Sequence, residues 1–373
     1  LLVIAGVLAA ALIAELAIRL FDLRPPTLRG KTYLQSLTDR KLMYHCYSSN
    51  PHGEFSPTPD VRQGEWRLTS AGLPPTELPL SDLKKTPWCV EDRSSELDLR
   101  DRRYEAIPGA GKIRLALVGD SFVRGEGVPL EGALPRQLER LLGPDRYEVV
   151  NTGAAGLGTE EEVPVVQRVS AKLNVSRVIL VFIPNDIHLN RALERRQELI
   201  NDLINIRDEH LARHFQRQWL YRNSRLAQFV GSFFEMRGIT RDTIQWYLDS
   251  YDPGYNEDGL KRLAENFKAL ASLPNCRVAM VIYPLMCGLE GDYPLAAIHS
   301  RVKQMAGEAG LPVLDLAPAF KGFKTESLQV HPCDHHPNSR AHAVAARAIN
   351  DWLNKEQQGF LATPKDKVPA LNP

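Results

Sequence analysis

The chain has 373 residues, 43% of them hydrophobic and 24% charged, which is ordinary for a globular protein with a real core. Its 46 Lys and Arg against 45 Asp and Glu give a formal net charge of +1. No basic excess calls for a nucleic-acid partner and no acidic excess suggests a solvating tail, so nucleic acid is not expected to bind.

The N-terminus departs from this average. Leu1 to Ala14 is apolar without a break, and Glu15 and Arg19 follow four residues apart, where they can pair on one helix face. A membrane span needs ~20 mostly apolar residues. Leu1 to Phe21 reaches that length when the Glu15–Arg19 pair lies near an interface. Residues 1–24 are therefore read as a transmembrane anchor or signal segment. An uncleaved anchor, a cleaved signal peptide and a buried amphipathic helix are the three alternatives, and the lack of a small-x-small cleavage site before Arg19 favours the anchor. Arg19, Arg24, Arg29 and Lys31 flank the segment on its C-terminal side, a charge pattern more usual for a cytoplasmic flank.

Residues 25–110 are rich in Pro, Ser and charge, with turn signals at Asn50-Pro51-His52-Gly53 and Pro74-Pro75, and are expected to form an irregular N-terminal segment. From residue 111 strands and helices alternate. Ile113 to Val118 reads as a buried strand, Leu130 to Leu142 as a helix, Tyr147 to Asn151 as a strand and Glu160 to Leu173 as a helix. Arg177 to Ile183 is a near-continuous apolar run, the mark of a strand buried on both faces. Arg277 to Tyr283 and Leu311 to Leu314 supply two more strands, and Arg340 to Leu353 a closing helix. The pattern predicts an α/β fold with a doubly wound, five-stranded parallel sheet over 111–355, and a loose tail over 356–373. A helical insertion at about 187–258 interrupts it, carrying Phe229, Phe233, Phe234, Trp246, Tyr247 and Tyr251. It reads equally as a substrate wall over the strand ends or as plain core-packing helices.

Of the five cysteines, Cys46, Cys89, Cys276, Cys287 and Cys333, none has the C-x-x-C spacing of a zinc site. In an exported protein Cys46 with Cys89, and Cys276 with Cys287, could form disulfides; buried reduced thiols are the equal alternative.

Four motifs fall at strand ends, where ligands bind in such sheets. Gly119-Asp120-Ser121-Phe122 follows the first strand and offers a nucleophile, or else a simple helix cap. Asn151-Thr152-Gly153-Ala154-Ala155-Gly156-Leu157-Gly158 follows the second; its glycines allow close approach of backbone donors, and it lacks the Lys-Ser/Thr of a phosphate loop. Pro184-Asn185-Asp186 follows the third strand and offers a side-chain amide, or an ordinary turn. His331-Pro332-Cys333-Asp334-His335-His336-Pro337-Asn338 precedes the last helix and sets a carboxylate beside histidine, as a general base requires. Its three histidines also suggest a metal, but no H-E-x-x-H pattern is present and the prolines restrict the backbone, so neither metal nor cofactor is expected.

In this order the four blocks resemble the SGNH hydrolases, the GDSL-like lipases and esterases, over roughly residues 113–353. The resemblance implies their flavodoxin-like sheet and a serine esterase. It makes Ser121 the nucleophile, His336 the base and Asp334 its orienting acid, with an oxyanion hole from Ser121, Gly156 and Asn185. Two positions depart from the pattern: Ile183 replaces the usual glycine of the third block, and Asp334 lies two residues before His336, where the family often has three. His335 is the rival base. The apolar N-terminus with a Pro-rich lead-in also looks like membrane-attached bacterial members, which implies an extracytoplasmic domain, periplasmic or at the cell surface. The expected substrate is a small-molecule or polysaccharide acyl ester (O-acetyl carbohydrate or lipid-like). O-acyl transfer to a cell-surface polysaccharide, and an inactive carbohydrate-binding member, are the alternatives.

Overall fold

The structure is a computed structural model that describes residues 2–21, 23, 31–36, 42–47, 66–69, 89–95, 98–204, 219–331 and 334–361. The expected tail beyond residue 361, and Cys333, lie outside them. The chain divides into two compact units.

The larger unit takes in residues 92–190, 250–330 and 335–373. Its frame is a five-stranded sheet formed by Ile113–Val118, Tyr147–Asn151, Arg177–Phe182, Arg277–Ile282 and Val313–Asp315. Each neighbouring pair runs parallel, in the spatial order second, first, third, fourth, fifth. This is the doubly wound α/β fold that the alternation of elements predicts. The first and third strands are buried at every position because helices cover both sheet faces, and this explains their unbroken apolar sequences. The strand order reverses between the second and third strands, on either side of the first. In sheets of this kind such a switch point, beyond the carboxyl ends of the strands, is where ligands bind. Ser121, the Asn151–Gly158 loop and Asn185 all follow those three strands.

The smaller unit takes in residues 1–91, 191–249 and 331–334. It begins with helix α1, Leu2–Leu20, which is long and apolar enough to cross a membrane. The stretch expected to be irregular contains four short strands, Lys31–Ser36, Leu42–Tyr47, Trp66–Thr69 and Cys89–Arg93, in one sheet. The first pairs antiparallel with the second and the third, and Tyr33 opposite His45 and Leu34 opposite Leu68 are among the aromatic and apolar pairs. That is strand chemistry in pieces too short for periodicity to reveal among prolines and charges.

The insertion forms helices Arg191–Ile204 (α2), Trp219–Asn223 (α3) and Arg225–Ser250 (α4). Its aromatic cluster divides in two. Trp246, Tyr247 and Tyr251 are buried, with the Trp246 indole donating to the Leu193 carbonyl, whereas Phe233 and Phe234 are exposed.

Cys276 and Cys287 are free thiols, so the short disulfide considered from sequence is not formed. The reason is extension: the six-residue strand Arg277–Ile282 lies between them. At ~3.3 Å per residue it spans far more than the ~7 Å Cα separation a disulfide tolerates.

Candidate active site

Ser121 opens the one-turn helix Ser121–Arg124 at the end of the first sheet strand. Asp120 caps that helix, its Oδ1 accepting the Phe122 N–H at 2.8 Å. The turn after it is held by Arg100, whose buried guanidinium donates to the carbonyls of Arg124, Gly125 and Val128 and pairs with Asp92 at 3.4 Å. Arg124 makes a second pair with Asp92, at 2.6 Å. The Ser121 helix is thus fixed from both ends.

The second loop docks on this helix. The Ala154 N–H donates to the Gly119 carbonyl at 3.1 Å, and the Asn151 side chain donates to the carbonyls of Arg100 and Arg124. Gly153 is required for the approach, because a Cβ there would lie 2.2 Å from the Arg124 backbone nitrogen. Gly156 stands three residues further on, exposed and at φ 77°, a conformation that favours glycine.

His336 lies on the strand Asp334–Pro337, which pairs with Gln329–His331 in a two-stranded sheet. Its Nε2 is 2.8 Å from Ser121 Oγ. Pro337-Asn338 pins the chain immediately afterwards. The Asn338 side chain accepts the N–H groups of Arg340 and Ala341, capping Ser339–Lys355, and donates to the carbonyls of Ser327 and Gln329 at 3.0 Å. The Phe122 ring packs 5.6 Å from the imidazole. His335, the rival base, is exposed, and strand alternation turns it to the opposite side from His336. Asp334 is buried two residues before His336, so the same alternation puts the two on one strand face.

Asn185 meets the serine through Asp120: its Nδ2 donates to Asp120 Oδ2 at 3.0 Å, and the Ser121 hydroxyl lies 3.3 Å from the same oxygen. An amide nitrogen carries two hydrogens, so this bond orients the group and leaves a second donor.

Several charged residues around the site gave no sign of burial in the sequence. Glu126 is buried in the turn that Arg100 clamps, with Oε2 3.7 Å from His336 Nε2. Behind Asp120 lie Glu162 and Asp186, both buried. Burial holds all three carboxyls above the usual carboxylate range. For Glu162 the charges of Asp120 and Glu161 add to this, and for Asp186 chiefly those of Glu162 and Asp120. Neither Glu162 oxygen has a hydrogen-bond partner among the described residues.

Because folding raises these pKa values, the folded chain binds protons more tightly than the unfolded one. Their stabilising contribution is complete below the unfolded carboxylate pKa of ~4 and is lost as pH rises through the folded values. Glu162→Gln is therefore expected to raise Tm at pH 8 by a few degrees and to change it little at pH 4. A pH series of thermal melts checks this, and a wild-type-like fall in Tm with pH would count against it.

A doubly wound parallel sheet with a hydroxyl–imidazole pair beyond its strand ends has the groups that acyl-ester hydrolysis uses. The family model for GDSL-like lipases and acylhydrolases matches residues 117–344, and the chain belongs to that family, which makes it a hydrolase of ester bonds. No curated protein sequence matches it. Among solved structures, it is similar to a two-domain esterase active on acetylated mannans, at 15% identity over 65% of this chain and 49% of that one, with a TM-score of 0.35. The chain thus spans about half the length of that esterase. It is also similar to a member of the lipolytic G-D-S-L family from Veillonella parvula, at 14% identity over 65% of this chain and 99% of that one, with a TM-score of 0.36. A lipase/acylhydrolase from Enterococcus faecalis is similar at 14% identity over 65% and 95%, with a TM-score of 0.33.

Proposed function

We propose that the chain is a serine esterase working through an acyl-enzyme, with Ser121 as nucleophile, His336 as general base and Asp334 as the acid that orients it. The observation that carries this reading is the 2.8 Å separation of Ser121 Oγ and His336 Nε2. Ser121 Oγ attacks the ester carbonyl while its proton passes to His336 Nε2. The oxyanion is met by the backbone N–H groups of Ser121 and Gly156 and by the second N–H of Asn185. Collapse returns the proton to the departing alcohol and leaves an acyl-serine. Water, deprotonated by His336, then attacks that ester, and the acid is released with Ser121 restored. Glu126 stabilises the imidazolium in both halves from the Nε2 side.

The substrate we assign is an O-acyl ester of a carbohydrate or lipid-like alcohol, met by a domain that α1 holds at an extracytoplasmic membrane face. The domain assignment is residues 1–24 as anchor and 111–355 as hydrolase, interrupted by the insertion. The test is p-nitrophenyl acetate turnover by the full chain with and without sugar acceptors. Acetate release that is indifferent to the sugar is expected. Acceleration by the acceptor with acyl-sugar as product would replace hydrolysis by transfer.

A further inference from the structure

The insertion carries an apolar surface that the proposed chemistry does not use. Trp219 and Leu220 on α3, and Val230, Phe233 and Phe234 on α4, are all exposed, Trp219 by 74% and Phe234 by 67%. Positions 230, 233 and 234 follow i, i+3, i+4 and so share one helix face. Arg237 and Arg241 continue that face at the same spacing. An open groove of about 580 Å³ runs along it, with Phe233, Arg237, Arg241 and Ile244 among its lining residues. Single exposed apolar residues are normal, but five large ones on two successive helices, three of them on one helix face, mark a surface that another phase covers.

Its place beside α1 says which phase. Glu15, near the C-terminal end of α1, caps the first turn of α4: its oxygens accept the N–H groups of Arg225 at 2.9 Å and Leu226 at 2.7 Å, and the Ser224 hydroxyl at 2.9 Å. Arg19 pairs with Glu15 at 2.6 Å and donates to the Asn223 carbonyl at 2.9 Å. The corner between α3 and α4 is therefore bolted to the point where the apolar run of α1 gives way to charge. Ile18 is the one buried residue of that helix, so its apolar surface is open to lipid along its length.

We infer that the exposed face of α3 and α4 lies on the phospholipid bilayer beside the α1 anchor, with Trp219, Phe233 and Phe234 at the acyl-chain boundary and Arg237 and Arg241 at anionic headgroups. Tryptophan favours that interfacial depth, and basic side chains beyond an apolar helix face match lipid phosphates. The inference rests on α1 entering the membrane and not on the esterase chemistry.

The test uses the full chain in vesicles of phosphatidylcholine and phosphatidylglycerol, with either plain or brominated acyl chains. Segment α1 contains no tryptophan, so its own insertion contributes no quenching. Bromine is expected to quench part of the tryptophan emission, and Trp219→Phe to remove most of that quenched part. Arg237→Glu with Arg241→Glu should reduce the quenching in vesicles containing phosphatidylglycerol. Quenching unchanged by Trp219→Phe overturns the proposal. So does a chain that floats with the vesicles unquenched, its face then covered by water, protein or a second copy, and so does a chain that fails to float. Esterase activity measured in the same samples reports separately on the catalytic reading.

Discussion

Ser121→Ala and His336→Ala are each expected to lower kcat by about 10⁴–10⁶-fold, with the double variant no worse than the poorer single one. In the proposed mechanism the hydroxyl and the imidazole, 2.8 Å apart, act as one unit, so removing either would leave the other without a task. Residual turnover in all three variants would come from the donors around the oxyanion and from substrate binding. Losses that multiply in the double variant would mean that the two side chains act independently, and the acyl-enzyme route would fall. Steady-state kinetics on an activated acetyl ester, with circular dichroism to show that each variant folds, provides the measurement.

The second large effect concerns stability. Arg100→Ala is expected to cost about 3–5 kcal/mol, read as a lowered midpoint of urea unfolding. The substitution strips the carbonyls of Arg124, Gly125 and Val128 of buried donors and removes one of the two guanidinium groups that pair with Asp92, leaving the pair with Arg124. Arg100→Lys should recover little, because one ammonium cannot reproduce a planar fork aimed at several carbonyls. The same turn carries Glu126 and ends the helix of Ser121, so kcat should fall in both variants even under conditions where they remain folded. Wild-type stability in Arg100→Ala would show that the clamp is dispensable.

How much of this was legible beforehand depended on the physical signal each element leaves. The central strands were readable because burial on both faces demands unbroken apolar runs, as in Ile113–Val118 and Arg177–Phe182. The two-stranded sheet of Gln329–His331 and Asp334–Pro337 was not, since its strands have only three and four residues and most of these are polar. The strands between residues 31 and 93 were hidden by their shortness and by the prolines and charges between them.

At the candidate site, Ser121, Asn185 and His336 stood out because each sits in a short block of distinctive residues after a strand or before a helix. Arg100, Glu126 and Glu162 were invisible for the opposite reason, and Asp186, though part of the third block, gave no sign of its burial. A charged residue in sequence defaults to a solvated face, and only the folded chain reveals that these four are buried. The free thiols make the same point from the other side: Cys276 and Cys287 are near in sequence, and an extended strand keeps them apart.

The most direct test of Ser121 as an activated nucleophile is to treat the full chain with a fluorophosphonate and map the adduct by peptide mass spectrometry. A single phosphonyl group on Ser121, largely absent when His336 is alanine, is the predicted result. Ester hydrolysis that persists while Ser121 stays unmodified, or an adduct on a different residue, would contradict the account.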